Sequence, residues 1–289
     1  MRTTVASDGT SWLLYIATGL ALTGIVLLFV MIVAFAVPVF FSAGGSPFSW
    51  VWMPSQGDFG ILPMICGSLL LSLSALGLAW PLALGLCCWL YQWGNTPLAV
   101  PVRGVVQFMT AIPTVVYGFS ALFLLTPLIR DGLARGTGLC WLTATLVLTL
   151  LILPTMVLVL EAGLRPKLDA LHLRTVALGF TRMQTCAFLV LPGARSTLLT
   201  AAVLGFGRAI GDTLVSLMLA GNAPHVPHAL DESLRTLTAH MALVTANEVG
   251  GAAYGSLFVA GMLLLVINAG VSLGLRRLGQ AYSQQKGTA

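Results

Sequence analysis

Long apolar runs separated by short polar segments make up most of this 289-residue chain. Six of the runs exceed the roughly 20 residues that an α-helix needs to cross the hydrocarbon core of a bilayer. The pattern therefore predicts an all-α, polytopic membrane protein with six transmembrane helices, folded as a single domain over residues 1–289. The predicted spans are residues 12–40, 61–91, 104–129, 139–160, 197–221 and 253–275.

The composition supports a membrane protein and excludes a soluble one. Hydrophobic residues account for 57% of the chain and charged residues for 8%, whereas soluble domains carry about 25% charged residues. The net charge of +5 does not indicate a nucleic-acid partner, because the basic residues form no single patch and aromatic residues do not alternate with them. The five cysteines show no CxxC spacing, which favours packing roles over a metal site or disulfide bonds.

The distribution of basic residues predicts the orientation of the spans. With both termini in the cytoplasm, ten of the 14 lysines and arginines lie on the inner side, three lie outside, and Arg208 lies within the membrane. This asymmetry favours six spans with both termini in the cytoplasm, because positively charged loops stay on the cytoplasmic side. The inner residues are Arg2, Arg103, Arg165, Lys167, Arg174, Arg182, Arg195, Arg276, Arg277 and Lys286, and the outer residues are Arg130, Arg135 and Arg235.

Two polar segments between the spans are long enough to have functions of their own. Residues 162–195 carry one lysine and four arginines, so we expect them to face the cytoplasm and to be available to a soluble partner. Residues 222–250 lie outside, and their apolar residues recur at helical spacing. They predict an amphipathic helix on the membrane face, either as a gate element or as a packed lid. The apolar residues are Leu230, Leu234, Leu237, Met241 and Val244.

Residue patterns of known catalytic sites are missing from the sequence. Lys167 and Lys286 are the two lysines, and neither lies in a GxxxxGK[ST] loop, so we expect no ATP hydrolysis by the chain itself. Neither HExxH nor GxSxG occurs. We therefore predict a protein that is not an enzyme and that uses no cofactor or metal. His225, His228 and His240 are interpreted as solvated side chains, because no cysteine or HxxxH spacing accompanies them.

A charge pair within the fifth predicted span is the strongest functional signal in the residues themselves. Arg208 and Asp212 are four residues apart, which predicts that they lie on one helix face. An arginine near the middle of a span costs about 2.5–3.5 kcal/mol on insertion scales, so it is expected to face a partner or a wet pathway. Two interpretations remain open: an internal ion pair that fixes helix packing, or a gate that contacts an anion through the guanidinium group.

The basic segment 162–195 resembles the cytoplasmic coupling loop of ABC-importer permeases. The family signature runs E-A-A, three residues, Gly, nine residues, then I-x-L-P. Here Gly179 is followed by nine residues and then by L-V-L-P, which ends at Leu191 and Pro192. The E-A-A positions instead read L-R-T, with Arg174 in the middle. The resemblance implies that the loop forms two short helices that dock on an ATPase subunit. It also implies that Ala177, Leu178 and Gly179 form the turn between them.

Three further runs are similar to phosphate-uptake (Pst-type) permeases, most of all to the C-type subunit. Residues 111–118 read AIPTVVYG, close to I-P-S-V-V-Y-G in the family, and residues 208–213 read RAIGDT, where the family has R-A-x-G-E-T. Residues 237–261 are similar to the closing stretch of the C-type subunit and include Glu248. The resemblance implies the type I permease fold and a gate or anion pathway at Thr114, Tyr117, Arg208 and Asp212.

The family resemblance also implies partners and a location, as a multi-pass protein, in the bacterial cytoplasmic (inner) membrane. We expect an ATP-binding ABC subunit at the coupling loop, a second permease subunit in a heterodimer, and an external substrate-binding protein that delivers phosphate. The alternatives are a permease for another oxyanion, such as tungstate, molybdate or a phosphonate, and a secondary transporter or channel that works alone.

Overall fold

The computed structural model describes residues 8–41, 48–94, 96–133, 136–247 and 251–285. Arg2, Arg135, Glu248 and Lys286, which are named above, lie outside these residues. In chain order the elements are α1 (Asp8–Phe41), β1 (Trp52–Met53), β2 (Asp58–Phe59), α2 (Leu62–Gln92), α3 (Ala99–Ala111), α4 (Thr114–Leu133), α5 (Trp141–Ala177), α6 (Arg182–Gln184), α7 (Leu191–Gly193), α8 (Arg195–Ile210), α9 (Leu214–Leu219), α10 (Leu237–Asn247) and α11 (Gly251–Gln285). A π-helical stretch, Thr185–Val190, joins α6 to α7, so that Arg182–Gly193 forms one helical segment.

Five of the described helices are long and apolar enough to cross a membrane: α1, α2, α4, α5 and α11. A sixth span is present if Arg182–Gly193 and Arg195–Ile210, which meet at a bend of 80°, are counted together. The prediction of an all-α, polytopic membrane protein is therefore confirmed. The few strand residues form one short antiparallel pair, in which Trp52 faces Phe59.

The third predicted span was wrong in its extent, because the chain leaves the helix in the middle of it. Residues 104–129 were expected as one helix, but α3 ends at Ala111 and α4 begins at Thr114. Ile112 is extended, with φ −72° and ψ 126°. The residue before a proline is pushed away from the α region by contact with the proline ring, and Pro113 has this effect here. Only α4 is left as a membrane span.

The fourth predicted span ended too early. We expected a helix over residues 139–160 followed by two short helices, but α5 continues without interruption from Trp141 to Ala177. At about 1.5 Å per residue, its 37 residues make a rod of about 55 Å, far longer than the roughly 30 Å of hydrocarbon. The first half of the basic segment 162–195 is therefore an extension of this span.

Packing between α2 and α5 forms the centre of the molecule. Ala75, Ala79 and Ala83 are fully buried at every fourth residue of α2, and small side chains at this spacing let two helices approach closely. The contact also has polar links, since the Thr149 hydroxyl donates to the Ala75 carbonyl at 3.3 Å. The Trp141 indole N–H donates to Ser74 Oγ at 3.0 Å.

The outer segment 222–250 is not the amphipathic surface helix that the stripe of apolar residues predicted. Its helix, α10, covers only Leu237–Asn247. Leu234 and Leu237 are fully buried, and the Leu237 N–H donates to Ser68 Oγ of α2 at 2.7 Å. The carbonyl of Leu230 accepts from the N–H of Leu142, at the start of α5, at 2.9 Å. The stripe arises from packing against the ends of α2 and α5, so the described part of this segment is a packed lid.

His240 belongs to the interior of this lid, contrary to the prediction of a solvated side chain. It is fully buried, its Nε2 lies 3.1 Å from Ser256 Oγ, and its ring meets the Trp52 ring edge-on at 4.4 Å. Burial, with a smaller contribution from Arg235, lowers the pKa of His240 to about 3. The ring is therefore neutral at physiological pH. His225, in contrast, is exposed.

The fifth predicted span, residues 197–221, is broken after α8. The helix ends at Ile210, and Gly211 adopts φ −85° and ψ −7° as its C-terminal cap. Asp212 Oδ2 accepts the Val215 N–H of α9 at 2.8 Å, and the Asp212 carbonyl accepts the Thr238 hydroxyl of α10 at 2.8 Å. Polar backbone groups at a break in an apolar region must find partners within the protein. Asp212 and Thr238 meet this requirement.

This geometry predicts that the carboxylate oxygen of Asp212, rather than its charge, stabilises the break. Asp212→Ala removes the acceptor for Val215 and should lower the free energy of unfolding by about 0.5–2 kcal/mol. Asp212→Asn keeps an acceptor oxygen and should remain close to the wild type. Thermal unfolding of the purified protein in detergent measures both. Equal destabilisation by Asn and Ala would contradict the capping role and would point to the charge.

Candidate functional site

Arg208 lies on the last turn of α8, one turn before the helix break. This differs from the prediction, which put it near the middle of an unbroken span. The side chain is half-buried, and its Nε atom is buried without a hydrogen-bond partner in the described part of the chain. The free carbonyls at the end of α8 carry partial negative charge, which stabilises a cation at this position. Arg208 thus has a local electrostatic reason to be charged and a donor that is still free.

Asp212 does not form the predicted ion pair with Arg208. Because α8 ends at Ile210, the two residues do not share a helix face, and the Asp212 carboxylate turns to the N-terminus of α9. Among the residues that the structure describes, no ion pair within 4 Å joins them. They remain near enough to interact electrostatically. The interpretation of a helix-internal i, i+4 pair was therefore wrong.

Tyr117, in the run 111–118, interacts with Arg208 and with the helix before its own. Its hydroxyl donates to the Met109 carbonyl at 2.8 Å, across the break between α3 and α4, and its side chain interacts electrostatically with Arg208. The next residue, Gly118, packs directly on α9, since a Cβ there would lie 2.8 Å from Met218 Sδ. The run 111–118 therefore packs on α9, which directly follows the run 208–213, and each run contains a helix break.

Thr114 has a less direct connection to this place. It is the first residue of α4 and is partly exposed, one turn before Tyr117. In the described structure no hydrogen bond links it to Arg208, Asp212 or Tyr117. Arg208 therefore supplies a guanidinium donor, and Tyr117 supplies a phenolic hydroxyl, and each residue lies beside a break in a helix. Planar guanidinium donors suit tetrahedral oxyanions, with which they form short, charge-assisted hydrogen bonds.

The turn in the basic segment 162–195, the predicted coupling loop, is built by specific caps. Gly179 has a φ of +78°, a value that glycine adopts without a steric penalty. The Gly179 N–H donates to the Val176 carbonyl and the Phe180 N–H to the Thr175 carbonyl, both at 3.0 Å. These two bonds form the Schellman motif that ends α5. Ala177 is the last residue of the helix, and Leu178 and Gly179 follow it in the turn.

The next helix starts immediately after this turn. Thr181 is its N-cap and forms a capping box with Gln184, in which each side chain bonds the backbone N–H of the other residue. Leu191 and Pro192 lie at the far end of the helical segment Arg182–Gly193, where the chain bends by 80° into α8. The residues predicted for the coupling loop therefore lie at two separate positions. We call residues 177–179 the tip and residues 191–194 the bend.

Apolar side chains are exposed at the tip and on the helices beside it. Leu173 is 82% exposed and Leu178 is 74% exposed, although the extended α5 carries both beyond the apolar part of the span. Val176 and Met183 are also exposed, as is Arg174 beside them. Exposed apolar patches surrounded by polar residues mark surfaces for another protein.

Sequence reasoning missed an ion-pair network between α3 and α5. Arg103 Nη2 lies 2.7 Å from Glu161 Oε1, and Arg165 Nη1 lies 3.7 Å from the same oxygen. It also missed the contact between Cys88 of α2 and Cys186 of the π-helical stretch, whose Sγ atoms are 3.1 Å apart. The Arg165–Glu161 pair had an i, i+4 signal, whereas the others join distant residues and leave no local pattern.

Comparison with known proteins places this geometry in a family. Residues 76–284 match the family described as "Binding-protein-dependent transport system inner membrane component". The "Probable ABC transporter permease protein YqgH" of Bacillus subtilis (strain 168) is 34% identical over 228 residues, which cover 75% of this chain and 71% of that protein. The "Phosphate transport system permease protein PstC" of Pasteurella multocida (strain Pm70) is 29% identical over 261 residues, 82% of this chain and 80% of the relative.

A solved structure shares the fold. A chain from "Inward facing conformations of the MetNI methionine ABC transporter" superposes with a TM-score of 0.61 over 80% of this chain and 99% of that chain, at 17% identity. At this identity the likeness concerns the fold alone. Together with the family match, it establishes a multi-pass inner membrane protein with the type I permease fold. The chain belongs to the family of inner membrane components of binding-protein-dependent transport systems, the permease subunits of ABC importers.

Proposed function

We propose that the chain is the non-catalytic, C-type permease subunit of a phosphate importer and that Arg208 contacts the anion or its gate. The observation that carries this proposal is the unpartnered, buried Nε of Arg208 at the end of α8. An arginine in an apolar region needs a partner to offset the cost of its burial. A transient anion is such a partner. Relatives from Pasteurella multocida and Haemophilus influenzae that bear the name of phosphate permeases support phosphate as this anion.

Tyr117 and Asp212 have supporting roles in this pathway. Tyr117 fixes the α3–α4 break through Met109 and keeps its ring near Arg208. Asp212 holds the second break through its bonds to Val215 and Thr238, so we assign it a positioning role. Thr114 contributes a hydroxyl at the start of α4 that is available to a hydrated anion. Small shifts of the two breaks would then change the access of the anion to Arg208.

The coupling loop connects this pathway to a separate ATPase. The exposed apolar tip around Leu178 offers a docking surface, and α5 extends to it as one continuous helix. After the tip, the segment Arg182–Gly193 leads through the 80° bend into α8, which carries Arg208. Movement of the tip by ATP-driven closure of the ATPase would therefore reach Arg208 through two rigid helical elements. This route needs no ATP site in the permease.

The remaining partners follow from exposed surfaces. Phe108, Phe119 and Phe123 on α3 and α4 are exposed, and they provide an apolar face for a second permease, with which we propose a heterodimer. The packed lid formed by the described part of 222–250 provides the outer surface for a substrate-binding protein. With the basic coupling loop in the cytoplasm, both termini lie on the cytoplasmic side of the inner membrane.

Transport by Arg208 variants tests the pathway. Arg208→Met should insert and assemble, because it removes a buried charge, yet it should reduce phosphate uptake per assembled complex by about tenfold or more, the loss of one charge-assisted contact. Arg208→Lys, which keeps the charge without the planar fork, should be intermediate. The matched control is Arg130→Met at the exposed end of α4, which should transport normally. Uptake by Arg208→Met near the wild-type rate would reduce Arg208 to a packing residue.

Two glycine variants test the coupling loop. Gly179 and Gly193 both have free space around the position of a Cβ, but only Gly179 has a positive φ. Gly179→Val should therefore strain the turn by about 1–2 kcal/mol or more, which corresponds to about five- to thirtyfold weaker retention of the ATPase. Gly193→Val adds the same side-chain volume without a strained φ, so this variant should retain the ATPase. Copurification of the ATPase measures both, and normal retention by Gly179→Val would contradict the docking role of the turn.

A further inference from the structure

A cavity of about 320 Å³ opens near the inner ends of the helices, beside the coupling loop. It lies between the end of α2, the start of α3, the extended half of α5 and the first residue of α6. Its volume is at the lower end of the range for small-ligand sites. None of the residues assigned to the proposed pathway lines it. Its charged lining residues are Arg103, Glu161, Arg165, Asp169 and Arg182.

The charges around the cavity leave arginine donors unused. Glu161 is already engaged by Arg103 at 2.7 Å and lies 3.7 Å from Arg165. Arg165 keeps 61% of its side chain exposed, and Arg182 takes part in no ion pair within 4 Å among the described residues. Three arginines face two carboxylates, so the lining carries one positive charge in excess. An anion is the ligand that this excess favours.

Two buried polar atoms beside the cavity also have no partner among the described residues. They are the hydroxyl of Tyr91 and Nε of Arg103, and both residues line the cavity. Buried polar groups without a hydrogen bond are rare in folded proteins and call for a specific explanation. A hydrated or hydrogen-bonding ligand in the cavity supplies one, after a small rotation of either side chain. Tyr91 also interacts electrostatically with Arg182 and Asp169, so the polar lining residues are close to one another.

Apolar side chains also line the cavity. They are leucines from the end of α2 and from α5. Basic pockets between transmembrane helices on the cytoplasmic side bind the headgroups of anionic lipids. A lining that combines arginines with leucines suits a phosphate group attached to an apolar body, and it also accepts a phosphate ion with its water. The leucines are Leu90, Leu164, Leu168 and Leu173.

We propose that this cavity binds a phosphate group, supplied either by an anionic phospholipid or by free inorganic phosphate, through Arg165 and Arg182. Arg165 belongs to the extended half of α5 and Arg182 starts α6. These two elements are the arms of the coupling loop, and the bound phosphate group would join them. Its occupancy would restrain the movement of these arms relative to each other. The site is separate from Arg208 and does not require that phosphate be the transported substrate.

Two binding measurements on the purified full-length chain, with the subunits that copurify with it, distinguish the sources. In the first, radiolabelled inorganic phosphate is titrated in nanodiscs of phosphatidylcholine, in an Arg208→Met background so that the proposed pathway does not contribute. In the second, native mass spectrometry compares the retention of phosphatidylglycerol with that of phosphatidylcholine. We expect specific binding in at least one measurement. Binding in the first assigns a free phosphate site, and binding in the second alone assigns a lipid site.

Charge variants identify the cavity as the place of binding. The double variant R165Q/R182Q should lower the affinity at least about tenfold. The matched control is R174Q, which removes a charge from the same loop at an exposed residue that does not line the cavity, and it should bind normally. Asp169→Asn removes an opposing charge and should raise the affinity about two- to fivefold, which a merely damaged fold would not do.

The outcomes decide the proposal independently of transport. It is overturned if neither measurement detects binding, or if R165Q/R182Q binds as well as R174Q. It is equally overturned if Asp169→Asn weakens binding in both measurements. Whether Arg208→Met transports phosphate has no bearing on these binding results. Failure of this proposal can therefore be distinguished from failure of the proposed function.

Discussion

The close packing of α2 on α5 is the constraint on which the other features depend. Alanines at every fourth residue of α2 bring the two helix backbones together, and hydrogen bonds from Thr149 and Trp141 fix their register. In a membrane, packing and polar links of this kind replace the hydrophobic effect as the force that holds helices together. Because α5 is anchored along its membrane half, its remaining residues extend as a rod toward the coupling loop. The same helix therefore serves as core element and as connection to the tip.

A second constraint is the cost of irregular backbone in an apolar region. The chain breaks twice where the phosphate-type motifs lie, at Ile112–Pro113 and at Gly211–Thr213. A hydrogen bond between the flanking helices α3 and α4 spans the first break, and Thr238 of α10 donates to the second. Such breaks are tolerated where they are buried in protein or line a cavity. Arg208 stands beside the second break with a free donor. A purely structural arginine would be expected to have its donors satisfied, which is why we connect this residue with an anion.

The sequence predicted the features that depend on local periodicity and missed those that depend on tertiary packing. Apolar runs predicted the spans, and the family resemblance carried by the Gly179-to-Pro192 spacing implied the turn. The stripe from Leu230 to Val244 misled, because burial against other helices produces the same spacing as an amphipathic surface. The charged residues of the α5 extension predict a loop, although arginine, lysine and glutamate are also good helix formers. Pro113 is a local signal for the first break.

The site was predicted as a set of residues, but its geometry was not. Asp212 and Tyr117 both interact electrostatically with Arg208, whereas the expected ion pair of Arg208 with Asp212 does not form, because Asp212 caps α9 instead. Glycine and aspartate at a helix end were available as a signal for this break. The pair of Arg103 with Glu161 joins residues from different helices. A single sequence holds no local pattern that would reveal it.

The most direct test of a phosphate permease driven by a separate ATPase is uptake by the reconstituted complex. Proteoliposomes would contain this chain with its copurified second permease and ATPase, with the binding protein outside and ATP enclosed. We predict uptake of radiolabelled phosphate that requires both ATP and the ATPase subunit, and that excess unlabelled tungstate or methionine does not reduce. Phosphate uptake at the same rate by the chain without the ATPase, or ATP-dependent uptake of tungstate in preference to phosphate, would contradict the account.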